Sequence, residues 1–362
     1  MHEYVIEGLK ERGFFPIILY FWKAHNRVST YEDKGFLTIY LSSSTKRNRG
    51  FNPWFLWKLL FIVRSLKINV MHVQRHRLMQ YGALASWITG VPLIYTVRST
   101  NILRNRKRKI VFRMLINNIS RIICVSEDVA RSLQESMELP HIEIIYNGIN
   151  TKDYNVPSVN KEQAREKYHL PKSGFIYGIV ARLKKAKDHP TLIRAFATFC
   201  HLNNPNAYLA IVGDGPKEKA LKQLVNELGI NEKVLFLGRI EPNEVPIILK
   251  AFDVFVHPSF REGMPMAVLE AMSAGLPVIS NECPPIKEIL GPNGEYGIIC
   301  KSGDVQSMAD ALEKVYYMNN SKLSELGKVG RKRVIDSFSK EQMVEKTIKI
   351  YDEVIKSTEN LE

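Results

Sequence analysis

Two carboxylates, Glu262 and Glu270, stand eight positions apart around the start of an expected helix. The apolar run Val254-Phe-Val-His257 ends at Pro258, and a loop then carries Glu262-Gly263. Pro265 is placed to open a helix, where a missing N–H costs nothing. Gly275 is a suitable stop, with Pro277 beyond it. Such a strand–loop–helix unit offers unpaired backbone N–H groups and the positive end of a helix dipole to an anion such as a phosphate. Glu270 lies in Met266-Ala-Val-Leu-Glu-Ala-Met272, an otherwise apolar helix where a carboxylate needs a partner. It could accept hydrogen bonds from both hydroxyls of a ribose. Taken singly, Glu270 also reads as a surface helix glutamate and Glu262 as a solvated loop charge.

A second group is Ile179-Val-Ala-Arg182-Leu-Lys-Lys-Ala-Lys187-Asp-His-Pro190. A strand ends at Arg182, and Asp188 and Pro190 can start the next helix. Arg182 and Lys187 would neutralise a diphosphate leaving group as its charge grows, Arg by a fork and Lys as a point charge. A solvated basic loop is the plain alternative.

Alternating strand and helix patterns position these groups. Strand-like runs are Phe14–Phe21, Phe36–Leu41, Asn69–Val73, Pro92–Val97, Arg121–Val125, Ile142–Tyr146, Phe175–Val180, Tyr208–Val212, Val234–Leu237, Val254–His257, Pro277–Ser280 and Gly297–Cys300. Helical spacing lies between them, as at Leu192, Ala195, Phe196 and Phe199. The rhythm predicts an α/β protein with parallel sheets covered on both faces. It pauses at Asn150–Glu166, a polar stretch read as a linker. The expected arrangement is two doubly wound domains facing across a cleft. The expected domain bounds are 1–155 and 156–338, followed by a last helix over 339–362.

Composition narrows the class. With 45% hydrophobic and 24% charged residues, the 362-residue chain is neither a disordered tail nor a fibrous repeat. Residues 1–155 hold 23 Lys and Arg against 11 Asp and Glu, and the rest hold 28 against 26. The front half is therefore expected to meet something anionic. Cys124, Cys200, Cys283 and Cys300 are far apart, with no C-x-x-C pair, which favours a reducing compartment. Phe51–Val63 contains Lys58 and is too short to span a bilayer.

From Ile145 to Leu312 the chain resembles the retaining glycosyltransferases of family four, which have the GT-B fold. The resemblance rests on Tyr146-Asn-Gly-Ile-Asn150, Arg182 with Lys187, Val212-Gly-Asp-Gly-Pro216, Phe236-Leu-Gly-Arg239, Asp253-Val-Phe-Val-His-Pro-Ser259 and Glu262-x7-Glu270, in order and spacing. Cys124-Val-Ser-Glu127 and Gly90-Val-Pro-Leu93 extend it loosely into the front half. It implies that Arg182 and Lys187 clamp the donor diphosphate and that Glu270 holds the ribose. Glu262, Gly263, Met264, Pro265 and Met266 would grip the donor sugar and distal phosphate. Gly238, Arg239 and Ile240 would lie near the base. The resemblance also implies that residues 1–155 bind the acceptor, that 156–338 bind the nucleotide sugar, and that the helix over 339–362 packs back toward the first domain. The implied reaction moves a hexose or N-acetylhexosamine from a nucleotide sugar, UDP rather than GDP, to a saccharide or lipid-linked acceptor in polysaccharide or glycolipid synthesis. No metal or other cofactor is implied, because the cations take the metal's place. No nucleic acid or obligate protein partner is implied either.

Two departures stand out. The family's first strand and glycine-rich loop are missing, since Met1–Gly13 matches the helix that follows them. The expectation is a start upstream or a truncated reading frame, with poor stability and an alternative role as a nucleotide-sugar-binding protein without turnover. Second, Arg98 stands where the family commonly carries a histidine near the donor sugar. It binds an acceptor phosphate or pairs with a local carboxylate. His72 and His76 read as structural.

On the acceptor side, Phe51–Val63 is aromatic-rich with a helical period and reads chiefly as a helix packed on the sheet. Arg104-Asn-Arg-Lys-Arg-Lys109 is a basic run, read equally as a membrane contact or a solvated face. The expected place is the cytoplasm, with peripheral attachment to the inner face of the membrane. Nucleic-acid binding through the basic half is a rival class. A Rossmann dehydrogenase is disfavoured, because no Gly-x-Gly-x-x-Gly follows any strand.

Overall fold

The structure, a computed structural model, describes residues 2–22, 30–43, 50–100, 102–103, 105–139, 141–203 and 205–359. Met1 and Arg104, named above, lie outside them. The chain forms two compact units, Met1–Gly148 with Lys340–Glu362, and Ile149–Ser339.

The first unit runs α1 (His2–Glu11), β1 (Ile17–Tyr20), α2 (Thr30–Asp33), β2 (Leu37–Tyr40), α3 (Pro53–Ser65), β3 (Met71–Val73), α4 (His76–Thr89), β4 (Leu93–Val97), α5 (Arg106–Leu115), β5 (Arg121–Cys124), α6 (Glu127–Gln134) and β6 (Ile142–Ile144). The second holds α7 (Lys161–Lys167), β7 (Phe175–Val180), α8 (His189–Asn203), β8 (Ala207–Val212), α9 (Glu218–Glu227), β9 (Val234–Gly238), α10 (Val245–Ala251), β10 (Val254–His257), α11 (Met266–Ser273), β11 (Val278–Asn281), α12 (Pro284–Leu290), β12 (Ile298–Cys300), α13 (Val305–Tyr316) and α14 (Asn320–Ser337). The last helix, α15 (Lys340–Glu359), returns to the first unit.

All strand pairs among the described residues are parallel. In the first unit the strands form a β1-β2 pair and a β3-β4-β5-β6 sheet. Among the described residues β1 pairs with β2 alone and β3 with β4 alone, so this unit's sheet is in two pieces. One core joins Leu9 of α1, Ile94 and Ile123 of the sheet, and Met343, Tyr351 and Val354 of α15. His72 contacts the Tyr351 hydroxyl through Nδ1 at 2.6 Å and Thr96 Oγ1 through Nε2 at 2.7 Å. Burial pushes the His76 ring toward its neutral form, as does nearby Arg108.

The helix over Phe51–Val63 differs from the expectation. Asn52 caps α3, which buries Phe55, Leu59 and Val63 and leaves Phe51, Trp54, Trp57 and Phe61 exposed. Both of its faces are apolar, so periodicity does not say which one the sheet covers.

The second unit's sheet has the order β12-β11-β10-β7-β8-β9. Its core gathers Tyr177, Phe196, Phe199, Val254 and Leu312. The stretch read as a linker instead opens this unit. Asn160 and Gln163 form a capping box on α7, and buried Arg165 reaches Asp253 Oδ2 at 2.7 Å. Polar composition there reflects caps and a buried ion pair rather than a flexible tether.

Candidate active site

In the second unit's sheet, β7, β8 and β9 run outward to one side and β10, β11 and β12 to the other. The order reverses between β7 and β10, which pair at Val254 with Tyr177 and Phe255 with Gly178. In an open parallel sheet, ligands bind beyond the carboxyl ends of the strands flanking such a reversal. Arg182 and Lys187 lie on the loop after β7, and Glu262 on the loop after β10.

These two loops meet. Lys187 Nζ is 2.5 Å from Glu262 Oε1, and the Phe260 N–H donates to the Ala186 carbonyl at 3.2 Å. His257, fully buried at the end of β10, brings Nε2 within 3.2 Å of the same Glu262 oxygen. Burial opposes the charge on Glu262. Contact with His257 and the Lys187 ammonium outweighs it, holding the carboxyl down to about 2. Burial also keeps the His257 ring neutral despite Glu262 beside it. A half-buried carboxylate is thus kept ionised next to a cation.

The cationic loop is shaped from below. The Leu183 N–H donates to the Asp214 carbonyl at 2.8 Å, and the Lys217 N–H to the Leu183 carbonyl at 3.0 Å. Gly213, at φ +132°, lies so close that a Cβ would fall 2.1 Å from the Ala181 carbonyl oxygen. Only glycine permits both that dihedral and that approach. The Gly213 N–H in turn donates to the Gly238 carbonyl at 2.7 Å, tying in the loop that carries Arg239 and Ile240. Asp188, at φ +42°, turns the chain into α8 and is buried, with Thr191 bonded to its carboxylate. Arg182 is exposed and, among the described residues, has no ion-pair partner. Arg239 is exposed too, 3.9 Å from Glu241.

Gly263, Met264 and Pro265 lead into α11, the last two buried. Pro265 is the residue before the helix rather than its first member, and no side chain caps the amides that follow. One turn on from Met266, Glu270 is half-buried. Burial raises its carboxyl above the usual range, and a hydrogen bond from Tyr154 opposes the rise. Tyr154 carries no local sequence signal, and His257, though it lies in the Asp253–Ser259 motif, is given no role by the sequence. Nor is His189, fully buried beside Lys187, which burial and the neighbouring Lys187 push down to about 4. A cavity of about 570 Å³ is lined by Lys184, Lys185, Arg194 and Lys217, and includes none of the residues expected to hold the donor.

Arg98 belongs to the first unit, where Nη1 donates to Gln74 Oε1 at 3.1 Å. Burial lowers its affinity for the proton, and Arg75 adds to the effect.

Residues 160–333 match the family model of the glycosyl transferases group 1, and residues 3–153 that of glycosyltransferase family 4. A UDP-Gal:alpha-D-GlcNAc-diphosphoundecaprenol alpha-1,3-galactosyltransferase of Escherichia coli is 30% identical over 318 residues, covering 83% of this chain and 78% of that protein. A glycosyltransferase from Rickettsia africae ESF-5 shares the fold at TM-score 0.85 and 19% identity, over 98% of this chain and 94% of its own. Anabaena HepE, solved in complex with UDP and glucose, does so at TM-score 0.79 and 19% identity, over 97% and 95%. The chain therefore belongs to the glycosyl transferases group 1, with the GT-B fold of two Rossmann-like domains. It is a glycosyltransferase.

Proposed function

We propose that this enzyme takes a hexose or N-acetylhexosamine from a UDP-sugar and transfers it to a saccharide or lipid-linked acceptor, retaining the anomeric configuration. The product enters cell-surface polysaccharide or glycolipid synthesis. The observation that carries the reading is the meeting of Lys187 and Glu262 at the ends of β7 and β10. The UDP bound to HepE and the diphosphoundecaprenol acceptor of the E. coli relative favour this donor and this acceptor class.

Arg182 and Lys187 neutralise the departing diphosphate, together with the uncapped start of α11 at Gly263–Met266. Fixed protein cations do the work that a metal ion does elsewhere. Glu262 holds hydroxyls of the donor sugar, and Glu270 accepts from the ribose. Gly238, Arg239 and Ile240 border the base. As the glycosidic bond opens, an oxocarbenium-like centre forms. The leaving phosphate oxygen can take the acceptor's proton on the same face, which accounts for retention. Arg98 contacts the acceptor. No helix among the described residues is long and apolar enough to cross a membrane, and the enzyme works as a peripheral protein at the inner face.

The test is to incubate the purified protein with UDP- and GDP-sugars and membrane extract, scoring released nucleoside diphosphate and the anomer formed. UDP release with an α-linked product from an α-linked donor is expected. Binding of UDP-sugar with neither transfer nor hydrolysis would select a binding protein instead. Failure of every nucleotide to bind would end the assignment.

A further inference from the structure

The face of α3 turned away from its core carries a ladder of rings. Trp54 stacks on Trp57 with centroids 4.7 Å apart and planes 10° off parallel, and Trp57 on Phe61 at 6.1 Å and 16°. Trp54 and Trp57 are each 55% exposed and Phe61 is 61% exposed, opposite the buried Phe55, Leu59 and Val63. α4 packs against both α3 and α5. The same helical layer exposes Trp87 and Ile88 on α4 and, opposite buried Phe112, Ile110 and Met114 on α5. Isolated exposed apolar residues are ordinary, whereas a face of this kind marks an interaction surface.

Its charge names the partner. From Lys34 to Ser126 the chain contains no Asp or Glu, yet it contains seventeen Lys and Arg. All of α3, α4 and α5 falls inside that stretch. Arg64 and Lys67 are exposed at the end of α3, and Arg106, Lys107, Arg108 and Arg113 on α5. Trp and Phe beside unopposed cations match the headgroup boundary of an anionic bilayer, where rings enter the interface and cations meet lipid phosphates. A nucleic acid fits less well. The rings are stacked on one another rather than spaced as platforms for bases, and Ile88, Ile110 and Met114 have no counterpart in base recognition.

We propose that the outer face of α3–α4–α5 is the membrane seat of this enzyme, with Trp54, Trp57 and Phe61 in the interface of an anionic phospholipid bilayer and the cations of α5 on its headgroups. This deepens the reading above by naming the face that meets lipid. Vesicle binding needs neither donor nor acceptor, so it can fail or succeed independently of glycosyl transfer.

Three of the four tryptophans lie on this face, which makes intrinsic fluorescence its reporter. The full-length protein is titrated with vesicles of phosphatidylglycerol and phosphatidylcholine, and with pure phosphatidylcholine, at low and high salt. Expected are a blue shift and co-flotation with the anionic vesicles, lost at high salt. Binding should weaken at least tenfold in W57S/F61S and in R106Q/K107Q/R108Q. All these positions are exposed, and UDP affinity with the melting temperature confirms that each variant is folded. Absence of anionic-vesicle binding, or binding that both variants retain in full, overturns the proposal. So does salt-sensitive oligonucleotide binding without vesicle binding.

Discussion

The phenol of Tyr154 holds the Glu270 carboxylate by a hydrogen bond that stabilises its charge against burial. The turn at the start of the second unit therefore reaches the helix that carries the expected ribose ligand. Tyr154→Phe leaves the ring in place and removes the donor. Glu270 should then hold its proton to higher pH, and only the ionised form accepts from both hydroxyls. UDP affinity should fall about 3- to 10-fold, as for loss of one ordinary hydrogen bond. Calorimetric titrations across pH should show the acid limb of binding moved upward. An unchanged limb would place Glu270 outside the nucleotide site.

Glu270→Gln separates binding from stability. Because burial raises this carboxyl, it costs the fold nothing below the ordinary value, increasingly as pH rises from the ordinary to the raised value, and in full above it. The amide removes the burden at neutral pH while weakening ribose recognition. A melting temperature equal to or above the parent's is expected, with UDP bound about 10- to 100-fold more weakly. A lowered melting temperature with intact UDP binding would make Glu270 structural.

The Lys187–Glu262 pair should behave as one unit. Lys187→Ala strands a half-buried carboxylate and should cost on the order of 3 kcal/mol, more than the Lys187→Ala, Glu262→Gln double variant costs. Turnover should fall in both, by about 100-fold or more where the clamp cation is gone. Denaturant titrations and steady-state kinetics on the four proteins of the cycle supply both numbers. Additive stability losses would mean that the two groups do not share their charge.

Acid sensitivity should come in two stages. His189 is held neutral, so its folded value of about 4 lies below the ordinary 6.5. Its stabilising contribution is complete above pH 6.5 and is lost as pH falls toward 4. Glu262, held near 2 against an ordinary 4.5, gives up its share only between those lower values. Melting curves from pH 7 to 3 should show His189→Gln flattening the first stage and Glu262→Gln the second.

The strands were legible because parallel strands buried on both faces appear as unbroken apolar runs, as Phe175–Val180 and Val254–His257 do. The site's backbone was legible for a related reason. Glycine and proline at Gly213, Gly263 and Pro265 punctuate the chain where it must turn. Contacts that depend on the sheet order were not. Nothing near Tyr154 points to Glu270, and nothing near His257 points to a shared carboxylate oxygen, because both meetings arise only when distant loops converge. The stripe on α3 escaped for another reason: a helix apolar on two sides leaves its orientation to the packing of its neighbours.

The last helix settles an order of events during synthesis. The second unit is drawn from one continuous stretch, so it can close as soon as that stretch has left the ribosome. The first unit cannot, because Tyr351 and Val354 of its core are made after the whole of its neighbour. Until they arrive, the core of the front lobe lacks these side chains. Pulse-labelled chains should therefore gain protease resistance in the rear lobe first, and chaperones should linger on the portion translated earliest.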